Sequence, residues 1–239
     1  MAECRLAAPV SGQFVSDSRG IMTSEYSARR IKMVDGQLRT TDVNDAGLLD
    51  AMLSIPREEF VPRSKRELAY IDEDIEVAAG RYLMEPSPFG KLVKLAEIGS
   101  GDVVLDVGCA TGYSSAVLSR LAGSVVALEC DSVLAQGATE TLSRLGFDNV
   151  AVVEGPLEAG WPQEAPYDVI IIGGAVDDVP ESLLNQLREG GRLVAVVGEG
   201  NAGVARLYLK AGSGAGGRNA FNAAVRALPG FRKAPAFAF

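Results

Sequence analysis

The chain has 239 residues, nearly half of them apolar, which is enough for one substantial core, and its 31 acidic residues against 23 basic ones leave a net charge of −8. That charge repels phosphate backbones and no run of Lys or Arg offsets it, so no nucleic-acid partner is expected. There is no histidine. Serine-type triads and histidine metal sites are thereby excluded, and no metal is expected.

The cysteines Cys4, Cys109 and Cys130 form neither a CxxC pair nor an even disulfide framework. Two of them read as lying in buried strand ends, and a reducing, cytoplasmic setting is expected. No apolar run approaches the ~20 residues of a membrane span, and the first residues lack the apolar centre of a signal peptide, so no membrane partner is expected either. Oligomeric state is left open.

Residues 1–22 mix small and polar types without a period and read as a mobile leader. From Ser24 the pattern turns helical through Ile31, Met33, Val34 and Leu38. A second helix carries Leu48, Leu49, Met52 and Leu53, capped by Asn44 or Asp45, and the Ile55-Pro56 and Val61-Pro62 steps end it. A loop is expected over 70–86 and a helix over 89–97. Beyond it, apolar runs at 103–107, 125–129, 150–154, 169–172 and 193–197 read as strands covered on both faces. Helices at 113–122, 132–145 and 181–188 supply the crossovers. The fold class is α/β: a doubly wound, mostly parallel, Rossmann-like sheet with an N-terminal helical elaboration, its ligand site at the carboxyl ends of the first strands. Residues 204–210 and 221–227 read as an antiparallel edge hairpin around the glycine-rich turn 212–217, with the order of the last strands open.

The segment Asp106-Val107-Gly108-Cys109-Ala110-Thr-Gly112-Tyr113 closes the first of these strands and opens a helix, where small residues let backbone approach a ligand. A dinucleotide fingerprint needs Gly or Ala at 113, and Tyr stands there. The spacing resembles that of class I S-adenosylmethionine methyltransferases. Glu129 ends the next strand, where a carboxylate can accept from both ribose hydroxyls, contacts worth roughly 1.5–3 kcal/mol each. Cys130 follows it directly.

Further segments resemble one family, the protein-L-isoaspartate O-methyltransferases: Met33-Val-Asp-Gly-Gln-Leu-Arg39, Pro56-Arg-Glu-Glu-Phe-Val-Pro62, Leu68-Ala-Tyr-Ile-Asp72, Asp168-Val-Ile-Ile-Ile-Gly-Gly-Ala175 and Leu187-Arg-Glu-Gly-Gly-Arg-Leu-Val194. The resemblance covers roughly residues 33–198. It implies S-adenosyl-L-methionine as cofactor and methyl transfer to the carboxylate of isoaspartyl residues in damaged proteins. It also places Gly155 and Pro156 at the turn that meets the adenine edge, Tyr82, Met84, Glu85 and the loop at Gly173 to Ala175 around the acceptor, and Gly173 among the cofactor-binding residues. Two departures stand out. Met84 occupies the position of the family's active-site serine within Gly80-Arg-Tyr-Leu-Met-Glu-Pro86, and a thioether donates no hydrogen bond. Pro156 replaces an aspartate and has no N–H. The alternatives are a family member that binds the cofactor without repairing isoaspartate, one with another acceptor, and a Met84 that simply fills core. On this reading residues 23–100 form a helical and substrate-loop region and 101–239 the cofactor-binding domain.

Overall fold

The computed structural model describes residues 18–198, 200–212 and 214–232. The leader reading of residues 1–17 lies outside the described residues, and residues 18–22 already belong to the first helix, α1 (Ser18–Met33). This helix runs into one π-helical turn at Val34–Leu38. α2 (Ala46–Ser54) is capped by Asp45, whose carboxylate accepts the Leu48 N–H at 2.8 Å. Asn44 plays no such part, because its side chain donates to Asp42 instead. Met33, Val34 and Leu38 pack with Leu48, Leu49 and Met52 in one apolar cluster.

The expected loop at 70–86 instead contains a small antiparallel hairpin, β1 (Ile75–Ala78) and β2 (Arg81–Leu83), which forms its own two-stranded sheet. Strands of four and three residues are too short to show a period. α3 (Pro86–Ala96) begins earlier than expected, with Pro86 in the first turn, where a missing N–H costs nothing.

The main sheet comprises β3 (Val103–Val107), β4 (Ser124–Glu129), β5 (Val150–Glu154), β6 (Tyr167–Val176), β7 (Leu187–Val197), β8 (Val204–Ala211) and β9 (Gly214–Asn222), in the order β5-β4-β3-β6-β7-β8-β9. The first five are parallel and the last two antiparallel. Both faces of the sheet are buried. Val104, Val169 and Ile171 join the cluster beneath the N-terminal helices, while Leu105, Val107, Ile170 and Ile172 point to the opposite one, the period of two that pleating imposes. α4 (Tyr113–Ser119) and α5 (Ser132–Arg144) cover the β3–β4–β5 half.

Three expectations are corrected. The helix expected at 181–188 is only α6 (Glu181–Leu184), because Leu187 already pairs with Tyr167 as β7. The last strand is not 221–227 but β9, glycines included. Its backbone pairs with β8, and a Cβ on Gly217 would meet the Tyr208 ring at 2.8 Å, so the glycine makes room for an aromatic side chain on the neighbouring strand. Residues 223–228 instead strap across the carboxyl end of β6, where the Ala175 N–H donates to the Arg226 carbonyl, the Leu228 N–H donates to the Ala175 carbonyl, and Ala175 bridges Ala227. No helix among the described residues is long and apolar enough to cross a membrane.

Candidate active site

The chain order reverses at β3, since β4 and β5 lie on one side of it and β6 and β7 on the other. A crevice forms at such a switch point, outside the carboxyl ends of the strands. There the chain leaves Val107, buried in the sheet, and passes through Gly108 (φ +84°), Ala110 (φ +50°) and Gly112 (φ +91°). Left-handed backbone at 108 and 112 demands glycine, and a Cβ on Gly108 would meet Leu228 Cδ1 at 2.7 Å. Gly173, across from this turn on β6, lets the strands close up, for a Cβ there would sit 3.1 Å from the Gly108 carbonyl oxygen.

Asp106 is fully buried. The hydroxyls of Ser114 and Ser115 both donate to its Oδ2 at 2.6 Å, whereas Oδ1 finds no hydrogen-bond partner among the described residues. Burial pushes its carboxyl up to about 6. The native state therefore binds this proton more tightly than the unfolded chain does, so the stability Asp106 contributes is complete below its ordinary 3.8 and lost as pH rises through about 6. Asp106→Asn should remove that dependence from urea unfolding curves recorded between about pH 3 and pH 7.

Glu129 is also fully buried, and its carboxylate is crowded with donors. The amides of Cys130 and Asp131 donate to Oε1 at 2.8 and 3.0 Å, and that of Ala110 to Oε2 at 2.8 Å. Arg81 completes a two-pronged ion pair, its Nη1 on Oε1 and its Nη2 on Oε2, the latter at 2.7 Å, with Nη2 also 3.3 Å from the Gly108 carbonyl oxygen. The thiols differ. Cys109 is buried in the turn, and desolvation raises its thiol well above the ordinary range. Cys130, expected to be buried, is exposed, because it lies one residue past β4.

One narrow pocket brings together Tyr82 and Met84 from the β2 segment, Asp106, Gly108, Cys109, Ala110 and Tyr113 from the turn, and Gly173 from β6. Met84 is at once a pocket wall and a member of the main apolar cluster. Glu85 stands aside: its N–H donates to Asp74 at 2.9 Å, and burial together with Asp74, Asp72 and Glu73 raises its carboxyl. Gly155 and Pro156 lie beyond Glu129 at the end of β5, with the Gly155 N–H on the Glu129 backbone carbonyl and the Trp161 ring 3.4 Å from where a Cβ on Gly155 would stand.

Sequence reasoning missed four residues here. Arg57 is wholly buried, donates to the carbonyls of Ala69 and Met84 at 2.7 Å each, and lies 4.6 Å over the Tyr113 ring. Arg226 lies 5.2 Å over the Tyr82 ring and 3.8 Å from Asp74. Both it and Leu228 line an open cleft of about 670 Å³ with Gly80, Tyr82 and Pro229. For Arg81 a signal existed, since it sits in the very segment whose serine position drew notice. Arg57 likewise lies in the quoted segment Pro56–Pro62, whereas for Arg226 and Leu228 only tertiary structure supplies a signal.

The chain resembles known proteins over this whole region. It is 41% identical over 178 residues to protein-L-isoaspartate O-methyltransferase 2 of Pelobacter propionicus, covering 74% of this chain and 78% of that one. It is 39% identical over 173 residues to the Koribacter versatilis protein-L-isoaspartate O-methyltransferase, covering 72% and 78%. A solved protein-L-isoaspartate O-methyltransferase superposes with a TM-score of 0.72 at 30% identity, covering 84% of this chain and 67% of its own. A Plasmodium falciparum beta-aspartate methyltransferase, solved with S-adenosyl-L-homocysteine, shares the fold with the same TM-score at 20% identity, covering 84% and 98%. The sequence profile of protein-L-isoaspartate(D-aspartate) O-methyltransferases matches residues 29–224, a span that runs from the end of α1 through the glycine turn and Glu129 to the edge hairpin, and the chain belongs to that family.

Proposed function

We propose that this chain transfers the methyl group of S-adenosyl-L-methionine to the side-chain carboxylate of isoaspartyl residues in damaged proteins, in the cytoplasm. The observation that supports the reading is a pocket lined by both the β2 segment and the glycine turn, as an acceptor wall set against a nucleoside cradle would require. The residues fit the cofactor. The orphaned Oδ1 of Asp106 is suited to its ammonium group, the left-handed turn admits backbone-close approach, and Glu129 offers the carboxylate that ribose hydroxyls require.

When bound, the cofactor supplies an electrophilic methyl carbon on a sulfonium. An ionised carboxylate is already nucleophilic, so a chain without histidine lacks nothing the reaction needs. Cation and anion neutralise each other on the way to products, and the apolar walls from Phe89, Leu92, Ile171 and Ile172 favour that loss of charge. The remaining task is alignment, an effect that can supply up to ~7–11 kcal/mol. Arg57 on the Met84 carbonyl and Asp74 on the Glu85 N–H fix the backbone of the acceptor wall. Met84 offers no donor, so recognition of the peptide falls to fixed backbone and to Arg226, whose guanidinium offsets the acidic group of Asp72, Glu73, Asp74 and Glu85 that would otherwise repel an isoaspartyl carboxylate.

Arg226→Gln should raise KM for an isoaspartyl peptide roughly tenfold and leave kcat nearly unchanged, the signature of lost ground-state attraction. A fall in kcat with unchanged KM would place Arg226 elsewhere. The function itself is tested with methyl-radiolabelled S-adenosyl-L-methionine and a matched pair of peptides, one isoaspartyl and one aspartyl. Base-labile label is expected on the isoaspartyl peptide alone, and label on neither would overturn the assignment.

A further inference from the structure

Glu129 has more donors than it can share with a ribose. An ionised carboxylate offers about four lone-pair sites. Three are taken by the amides of Ala110, Cys130 and Asp131, which belong to the turn and to the start of α5 and cannot withdraw without unfolding them. The two nitrogens of Arg81 bring the donors to five, more than the sites, and the pair is shut away from solvent, with side-chain exposures of 7% for Arg81 and 0% for Glu129. Nη2 reaches the Gly108 carbonyl as well, so the guanidinium lies between the two strand ends that frame the nucleoside cradle.

Arg81 sits beside an exposed turn. It follows the exposed Gly80, whose left-handed φ of +68° makes the turn, at the start of a three-residue strand that pairs only with β1 and not with the main sheet. The anchors of the segment, Arg57 to Met84 and Asp74 to Glu85, lie at its far end. The Arg81 side chain can leave the carboxylate while Met84 and Glu85 stay anchored.

We propose that the Arg81 guanidinium and the cofactor's ribose are mutually exclusive ligands of Glu129, so that Arg81 gates the nucleoside subsite and sets its affinity. Cofactor uptake breaks the buried pair and swings the tip of the hairpin outward, and product release is assisted when Arg81 returns to the carboxylate. The proposal rests on the cofactor reading above, and it predicts which part of the ligand feels the gate: the ribose hydroxyls, not the base or the amino-acid end.

The test is calorimetric titration of the intact chain and its Arg81→Gln variant with S-adenosyl-L-homocysteine, 5′-methylthioadenosine and the 2′,3′-dideoxy form of the latter. Arg81→Gln should bind the two hydroxyl-bearing ligands tenfold or more tighter than the parent, while the dideoxy compound binds both proteins alike. Arg81→Met, uncharged and of similar length, should give the same result, and circular dichroism checks that each variant is folded. Equal affinities for S-adenosyl-L-homocysteine in parent and variants would overturn the gate alone, as would weaker binding by the variants, which would make Arg81 a cofactor ligand. Failure of every protein to bind any nucleoside would overturn the cofactor reading and the gate with it.

Discussion

Arg57→Ala should destabilise the fold by roughly 3–5 kcal/mol, among the largest effects of any single substitution in this chain. Arg57 is the largest of the fully buried side chains, and truncation opens a cavity between Phe60, Tyr113 and the β2 segment. It also strips the carbonyls of Ala69 and Met84 of their donors, at about 1–3 kcal/mol each. Burial pulls this guanidinium below its ordinary range, a desolvation cost that the variant recovers, and the contact with the Tyr113 ring offsets part of it in the parent. The lost hydrogen bonds and packing outweigh that recovery. Arg57→Met, which keeps the volume, should cost about half as much. Urea unfolding measures both, and a loss under about 1 kcal/mol in Arg57→Ala would mean that the surrounding elements are held by other contacts.

Glu129→Ala should weaken binding of S-adenosyl-L-homocysteine by a factor on the order of 100 or more, from two charge-assisted hydrogen bonds at roughly 1.5–3 kcal/mol each. It should also destabilise the fold by about 3–5 kcal/mol, because Arg81 is left as a buried charge without its partner. The two effects separate in the double variant. Replacing Arg81 and Glu129 together by alanine should recover much of the stability and none of the binding. If the double variant regained nucleoside affinity, Glu129 would be a structural counter-ion and nothing more.

Much of the fold was legible because parallel strands buried on both faces must be continuous apolar runs, as at Val103–Val107 and Ser124–Glu129, and because the turn between Gly108 and Gly112 needs left-handed backbone. What escaped reading depends on partners remote in sequence. Gly214–Asn222 is a strand only because β8 lies beside it to take its backbone hydrogen bonds, and its glycines look like a turn in isolation. The β1–β2 hairpin is too short to carry a period. In the site, Asp106 and Glu129 were readable from their places at strand ends. Arg81 lies in a segment that drew notice, but its reach to Glu129 across 48 residues, like the placing of the Arg226 strap by Ala175, is not written in local pattern. Even Met84, noticed as a missing hydroxyl, gains its meaning from the Arg57 donor that holds its carbonyl.

Methyl transfer by this chain requires a nucleoside grip at the carboxyl ends of β3 and β4. Titrating the intact chain with S-adenosyl-L-homocysteine in a calorimeter measures it directly. A saturable isotherm with one site per chain is predicted, weakening as pH falls below about 6 while Asp106 takes up its proton. An absence of saturable heat at millimolar ligand, in a chain that circular dichroism shows to be folded, would contradict it.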